Sequence, residues 1–579
     1  MIKKLMANTA LRIAVNILIT LIVGGVYFYI NLPAINLHEP AFYFFLGVLA
    51  VVYAAISLLT MGKMHMVITG QELWRILKAH CQMSLLVCIV LVLVYLVGQI
   101  VSAPIFRAGA YHNLLAVETG DFAVDVAETS FENIPMLDWA SAARLGDRKM
   151  GELSDLVSQF EVDNSYAQIN YRDRPVRVTY LNYGDFFKWW NNRGQGLPAY
   201  ITVDMVTQEA NVVRLSDMEL PGIRYSPSEL FNRKLERHLR FTYPTFMFDT
   251  PIFEIDDEGM PWWICPKIEK TIGLFGGTDI HGAVLVNAIS GESTYVEDIP
   301  NWVDRVYSAD LIVQQYDYYG TYVNGFWNSM IGQRNVTVTT QGYNYIAMND
   351  DVYMYTGVTS VGGDESNIGF LMSNQRTKQT TYYAAAGAIE ASAQRSAEGV
   401  VQDLGYSATF PLLLNVAGEP TYFMSLKDAS QLVKQYAMVN VRQYQIVATG
   451  ITVSECQANY LRLLNDQGVT HEAEVTQTSV GGVIDDLRFA VLNGNTQVYI
   501  KLVDDNFYYV VSVAESEVAA ILGVGDHVSM QTFPQEGELH LAYDVALEKR
   551  AVPVETESAP PEVPEEDPEE EPADETQNV

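Results

Sequence analysis

Only four of the 579 residues are cysteine, too few for a disulfide framework to hold a chain of this length. Cys81 and Cys88 fall at or in an apolar run, and Cys265 and Cys456 stand far apart. Two buried free thiols are therefore the favoured reading of the latter over an extracellular bridge. Lys and Arg are scarce as well, 36 against 69 Asp and Glu, for a formal net charge of −33. That balance disfavours nucleic acid and anionic lipid surfaces, which need a basic footprint, and fits cationic ligands or basic partners better. After Arg550 there is no Lys or Arg at all. Acids from Glu555 to Glu575 are interleaved with prolines there, and residues 551–579 are expected to be a disordered tail.

Catalytic signatures are also lacking. No His-Glu-x-x-His occurs, and His112, His238, His281, His471, His527 and His540 are dispersed, with no two at helical ligand spacing. No Gly-x-Ser-x-Gly elbow occurs either, since Gly357–Gly362 carries its serine one position late. The glycines of Leu274–Asp279 have no following Lys and read as a turn between strands rather than a phosphate cradle. Asp256-Asp257-Glu258, Asp350-Asp351 and Asp364-Glu365 have the oxygens to hold Ca²⁺ but lack a dedicated loop pattern, and solvated turns explain them equally well. No catalytic residue, cofactor or metal ligand is assigned.

What the chain does have is a very apolar first hundred residues. Leu11–Leu32, Ala41–Met61 and Ser84–Phe106 are each long enough, at ~1.5 Å per residue, to cross a hydrocarbon layer of ~30 Å. In lipid each must be helical, because the backbone finds no water to bond. Lys3, Lys4 and Arg12 precede the first run and Lys63, Arg75 and Lys78 lie between the second and third, while Asn31–Pro40 has no basic residue. The expected topology is an N-terminus inside a cytoplasmic membrane and a large C-terminal domain outside it. Gln71–His80, apolar at roughly helical spacing, is expected to lie along the inner surface. No ionisable group sits in the middle of any span, which favours anchoring over transport.

Beyond the spans, Ile134–Phe160 reads as a helical segment begun by Pro and Asp. A helix followed by two strands and a tight turn then recurs, at Pro198–Leu215, Pro251–Ile268 and Ala408–Lys427, with a further hairpin at Gly282–Glu297. Near the end, Gly481–Leu547 gives three strand-like runs, the short helix Glu515–Leu522 and two more strands.

The helix-and-hairpin pattern, with turns at Ser290-Gly291-Glu292 and Gly418-Glu419-Pro420, resembles PepSY-type extracytoplasmic modules over residues 165–450. The Thr207-Gln208-Glu209 turn lacks the glycine. The resemblance implies binding to, or inhibition of, neighbouring envelope proteins. Three strands, helix, two strands resembles the OB-fold, which implies a small barrel that binds oligonucleotides, oligosaccharides or peptides, the first disfavoured by scarce Lys and Arg. The whole chain is similar to membrane-anchored proteins of bacterial envelopes, a likeness that implies no activity.

The expected architecture is thus multi-domain: a three-helix transmembrane anchor (1–107), a helical connecting segment (108–165), repeated α+β PepSY-like modules (166–450), an OB-like β-barrel (451–550) and the tail. Trp302–Trp327 crowds aromatic rings among carboxylates, a combination suited to sugar or peptide recognition, although core packing is the favoured reading. Trp302, Asp304, Tyr316, Tyr319 and Trp327 are the candidate ligand-binding residues. The leading expectation is an extracytoplasmic binding or scaffold protein engaging another envelope protein, with glycan a further possible ligand. The alternative is an enzyme acting on wall glycan through a carboxylate acid/base pair.

Overall fold

In the computed structural model the described residues are 9–60, 70–126, 134–348, 350–362, 366–469, 478–492, 495–513, 516–532 and 538–550. Lys3, Lys4, Lys63, Asp364, Glu365, His471, the Asn493-Gly494 turn and the acidic tail lie outside them. The chain divides into two compact units, Met1–His471 and Glu472–Val579.

Three helices open the first unit: α1 (Thr9–Asn31), α2 (Pro40–Leu59) and α3 (Gly70–Ser102). Within them Ala10–Asn31, Pro40–Leu59 and Cys81–Ser102 are long and apolar enough to cross a membrane, which fits integral membrane association. Polar contact between them is sparse: Thr60 Oγ1 donates to Asn16 Oδ1 (3.2 Å) across α1 and α2, and Cys81 Sγ to the Ala54 carbonyl (3.8 Å). The segment Gln71–His80 is not a separate surface helix. No Gly or Pro separates it from the third apolar run, so α3 continues through it as one helix of 33 residues, about 50 Å long at ~1.5 Å per residue.

Helix α4 (Pro104–His112) leaves α3 after a break at Ala103, and β1 (Val117–Gly120) follows. The rest of the unit is one plan used four times: a helix, then a four-stranded antiparallel meander whose first strand is broken in two. In the first repeat α5 (Trp139–Gly151) precedes β2 (Phe160–Val162) and β3 (Ala167–Asn170), which both pair with β4 (Pro175–Tyr183). A short helix, α6 (Phe186–Asn192), then leads to β5 (Ala199–Asp204) and β6 (Ala210–Arg214). In the second, α7 (Leu235–Thr242) precedes β7 (Met247–Phe248) and β8 (Ile252–Ile255), both on β9 (Pro261–Ile272), then β10 (Gly276–Asn287) and β11 (Ser293–Val296).

The third repeat has α8 (Ala309–Thr321), then β12 (Thr337–Thr339) and β13 (Asn344–Met348) on β14 (Asp351–Ser360), followed by β15 (Ser366–Asn374) and β16 (Thr380–Ala388). Strand β1 adds to its edge, parallel to β16. The fourth has α9 (Glu390–Val400), then β17 (Ser407–Ala408) and β18 (Leu412–Val416) on β19 (Glu419–Lys427), followed by β20 (Val433–Asn440) and β21 (Val447–Gly450). Helix α10 (Val453–Asp466) closes it, burying Cys456 and Tyr460 in the fourth repeat's core.

The sheets pack in pairs because their strands bury apolar side chains on both faces. Tyr180 and Phe253 meet the fully buried Trp263 at 4.7 and 5.2 Å between the first two sheets. Phe370 and Tyr422 do the same at 5.9 Å between the last two. Helix α8 fills the space between the pairs, with Leu311 against Ile264 and Leu285 and with Ile312 and Tyr316 against Met354 and Leu371. The fourth sheet returns to the first through Lys427 Nζ on Asp138 Oδ2 (2.6 Å), the N-cap of α5. Cys265 and Cys456 are both free and buried.

The tip of the β9–β10 hairpin seats this body on the spans. Glycines at 273 and 277, both at φ +64°, turn the chain so that Phe275 enters between Tyr43 of α2 (5.6 Å) and Tyr95 of α3 (5.3 Å). Gly98 leaves room for the ring, which a Cβ there would strike. Ser102 Oγ accepts from the Leu274 and Phe275 amides (2.9 and 3.0 Å), and Arg240 Nε donates to the Leu32 carbonyl at the end of α1 (2.9 Å). The 32–39 loop is held too, by Ile35 N on the Pro244 carbonyl (2.8 Å) and Asn36 Nδ2 on the Thr245 carbonyl (2.9 Å).

The second unit is a closed barrel in the order β22 (Thr478–Leu492), β23 (Asn495–Leu502), β24 (Tyr508–Ser512), β26 (Leu539–Lys549) and β25 (His527–Thr532). The long β22 closes it by pairing β25 with its first half and β23 with its second. β24 and β26 run parallel, and a 3₁₀ turn at Glu517–Ile521 joins β24 to β25. Ile484, Val498, Ile500, Val528 and Met530 fill the interior.

Candidate ligand-binding site

The five aromatic and acidic residues singled out in the sequence do not form one surface. Trp302 is half-buried against Trp262 (5.6 Å), and Asp304 is 3% exposed at the centre of the first unit. Tyr316 is core beneath the third sheet, and Tyr319 stacks on His112 at 4.6 Å, whose Nδ1 lies 2.6 Å from the Tyr319 carbonyl. Trp327, six residues past the end of the helix that holds the two tyrosines, is 66% exposed.

Asp304 belongs instead to a polar centre where β3, β8 and β13 meet. Glu254 of β8 accepts the Asp304 and Arg305 amides on its two oxygens (3.0 Å each), and Asp304 Oδ2 accepts the Asn170 amide (2.7 Å). Burial pushes the Glu254 carboxyl up to about 7, against the pull of the two amides and Arg305. Asp304 is raised too, by burial first and then by Glu254's charge. Arg177, fully buried on β4, donates to Gln168 Oε1 (3.4 Å) and leaves its Nε without a partner. Burial, then Arg305 nearby, brings its guanidinium down to about 10. On the far side Arg376 grips Asp351 with two bonds (2.7 and 2.8 Å). Two carboxyls therefore converge, but inside the protein. Glu254 and Arg177 escaped the sequence reading. The available signal was an ionisable residue embedded in a short β run, Ile-Phe-Glu-Ile and Val-Arg-Val.

Next to this centre the turns of the first two repeats enclose a cleft of about 420 Å³ on the first sheet. It is lined by the apolar Val176, Val213, Met218 and Ile255 and by the charged Arg172, Arg174, Asp204 and Glu258. Arg172 and Asp173 both take positive φ (55° and 60°), the twist a two-residue hairpin turn needs between β3 and β4. That places the Arg172 guanidinium 4.9 Å over the Tyr171 ring, with Nη2 donating to the Asp257 carbonyl (2.8 Å). Arg174 pairs with Asp204 (3.1 Å), and Tyr200 donates to the Gly259 carbonyl (3.0 Å). Thr202 and Asn211, directly opposite each other on β5 and β6, line the cleft, and among the described residues their side chains make no hydrogen bond. The site thus combines polar and charged side chains with an apolar lining in one concave surface.

The cleft lies at the end of the sheet remote from the spans. β9 runs twelve residues from the Asp256–Met260 turn to the Phe275 tip, about 40 Å at ~3.3 Å per residue.

No protein-family model matches the chain, and no curated protein matches it in sequence. Among solved structures it is similar to a protein of unknown function from Dyadobacter fermentans, at 9% identity and TM-score 0.17 over 68% of this chain and 96% of that one. A levansucrase from Bacillus subtilis aligns at 10% identity and TM-score 0.17 over 74% and 99%. A levansucrase variant from B. megaterium aligns at 9% identity and TM-score 0.16 over 76% and 98%. At these scores the likenesses carry no functional argument.

Proposed function

We propose that this chain is a membrane-anchored binding protein of the bacterial cell envelope, with its N-terminus inside and its repeated domain outside. It engages a segment of another envelope protein in the cleft between Arg172 and Glu258. The observation that carries this reading is the pair Thr202 and Asn211, polar groups with no side-chain hydrogen bond among the described residues, on a concave surface. The orientation rests on the basic residues before α1 and between α2 and α3, against their absence in Asn31–Pro40, the loop that touches the repeated domain. The helix-then-meander plan supports the reading of repeated PepSY-like modules. In the second unit the strand order, the parallel β24–β26 pair and the 3₁₀ turn before β25 support an OB-like barrel. Burial of Glu254 and Asp304 favours binding over glycan hydrolysis, because an acid/base pair must reach its substrate.

The test is a photo-crosslinking residue at Asn211 in the full chain in cells, with the same residue at Asp403 as control. A discrete protein adduct from 211 alone, lost on Arg174→Glu, is the expected result. Adducts no stronger than those from 403 would dismiss the cleft as the binding site.

A further inference from the structure

The chain as a whole is strongly acidic, but one face of the first two repeats is not. Helix α6 holds Phe186, Phe187 and Trp190 outward, and Phe231, in the turn before α7, joins them; they are 54%, 75%, 50% and 60% exposed. Trp189 ties them into one patch, 5.6 Å from Phe186 and 5.9 Å from Phe231. Contiguous exposed aromatics on a folded body mark an interaction surface. The same segments carry Lys188, Arg193, Arg233, Lys234 and Arg237, with Glu161, Asp185 and Glu236 as neighbouring carboxylates and Glu229 buried beneath them, where it accepts Trp189 Nε1 (2.8 Å). Arg193 lies 3.7 Å over the Trp190 ring and accepts Arg233 Nη1 on its carbonyl (2.7 Å), so the cations are woven through the rings.

This patch is continuous with the first span. Arg237 donates to the Tyr29 carbonyl (3.2 Å) and to the Phe231 carbonyl (2.8 Å), with its guanidinium 4.0 Å over the Tyr29 ring. Phe241 packs edge-on against Phe28 at 5.7 Å. Tyr29 lies two residues before the end of α1, about 3 Å inside it at ~1.5 Å per residue, the level at which aromatic residues meet lipid headgroups. A second exposed apolar group, Trp327, Met330 and Ile331, also adjoins a span exit, because α8 packs on α4 through Tyr111 and Tyr318 (4.8 Å).

From these contacts we infer that the α6–α7 face is a membrane pad that rests on the bilayer the spans cross. Phe186, Phe187, Trp190 and Phe231 sit at the headgroup–acyl boundary, and the surrounding cations pair with anionic phospholipid headgroups. An anionic leaflet draws this face and not the acidic remainder of the chain, which adds to the seat that the contacts with the spans already give the domain.

The test uses the full chain in nanodiscs of phosphatidylcholine, with or without phosphatidylglycerol, whose brominated acyl chains quench fluorescence. One probe is attached through Phe187→Cys; the control is attached through Glu258→Cys, at the remote end of β9. Quenching at 187 is expected to exceed that at 258 at least about twofold, and Lys188→Glu with Arg233→Glu to reduce it only where phosphatidylglycerol is present. Should that pair of reversals fail to fold, Lys188→Gln with Arg233→Gln makes the same comparison. Equal quenching at the two positions overturns the pad, as does a 187 probe shielded by added envelope protein and not by lipid. Quenching insensitive to the reversals overturns the headgroup pairing.

Discussion

Replacing Glu254 by Gln measures what the buried carboxyl pair costs. The folded state holds the Glu254 proton up to about pH 7, whereas an unfolded chain releases it near 4.5. Because the folded pKa is the higher, the folded state binds more protons in that window, and stability falls as pH rises from about 4.5 to about 7. At about 1.4 kcal/mol per pH unit, the loss reaches about 3 kcal/mol by pH 8. Gln cannot ionise, and it keeps one acceptor for the Asp304 and Arg305 amides while losing the other, a cost of about 1–3 kcal/mol at every pH. The variant is therefore less stable than the parent at pH 5 and level with it or better at pH 8. In a domain of this size 1 kcal/mol moves the midpoint by about 2 °C, so the difference in Tm shifts by about 5 °C between the two pH values. Thermal unfolding of the full chain in nanodiscs, followed by tryptophan fluorescence, reads it. The proton belongs to the pair, so Asp304→Asn is expected to flatten the same slope. A difference in Tm between Glu254→Gln and the parent that stays constant from pH 5 to 8 would refute the reasoning.

Three further outcomes follow from the packing. Phe275→Ala empties the seat between α2 and α3 at about 3–5 kcal/mol, and hydrogen exchange at Leu274–Gly276 should rise while that of the barrel is unchanged. Asp138→Ala leaves Lys427 buried without its partner and costs about 3–5 kcal/mol in thermal melts at pH 7. Burial pushes the Asp138 carboxyl up, but the bonds from Lys427 and Ser141 outweigh it and hold it below the ordinary range. The parent's advantage over Asp138→Ala is therefore expected above the ordinary carboxylate range and lost as pH falls through the folded value. Gly291→Ala places a methyl in the Tyr225 ring at φ +77°, and should lower the Tm by several degrees, whereas Gly418→Ala, with open space around it, should cost much less.

The spans could be read from sequence because twenty apolar residues in a row have few other uses, and the barrel strands because Asn493-Gly494-Asn495, Asp504-Asp505-Asn506 and Gly525-Asp526 punctuate them. The fourfold repeat could not. Pro198–Leu215 is the outer hairpin β5–β6 of its repeat, whereas Pro251–Ile268 and Ala408–Lys427 are the inner hairpins β8–β9 and β18–β19. Every antiparallel hairpin has the same local period, so sequence alone does not say which position in a meander it fills. The third repeat went unnoticed because its helix is rich in tyrosine and its first strand begins only at Thr337. The crowding of rings from Trp302 to Trp327 reflects that helix being wedged between two sheets, which consumes aromatic surface. The cleft was invisible for a different reason: Tyr171, Asn211 and Glu258 meet only after two repeats fold onto each other.

The insertion of Phe275 among the spans has a mechanical consequence. Among the described residues, α1, the 32–39 loop, α2 and α3 each contact the repeated domain, so the domain is tied to all three spans rather than to one. For the first unit, the attachment is a post and not a leash. Its cleft is carried at a set height, some 40 Å from the Phe275 tip at ~3.3 Å per strand residue, so a partner that reaches it must present its own segment at that height.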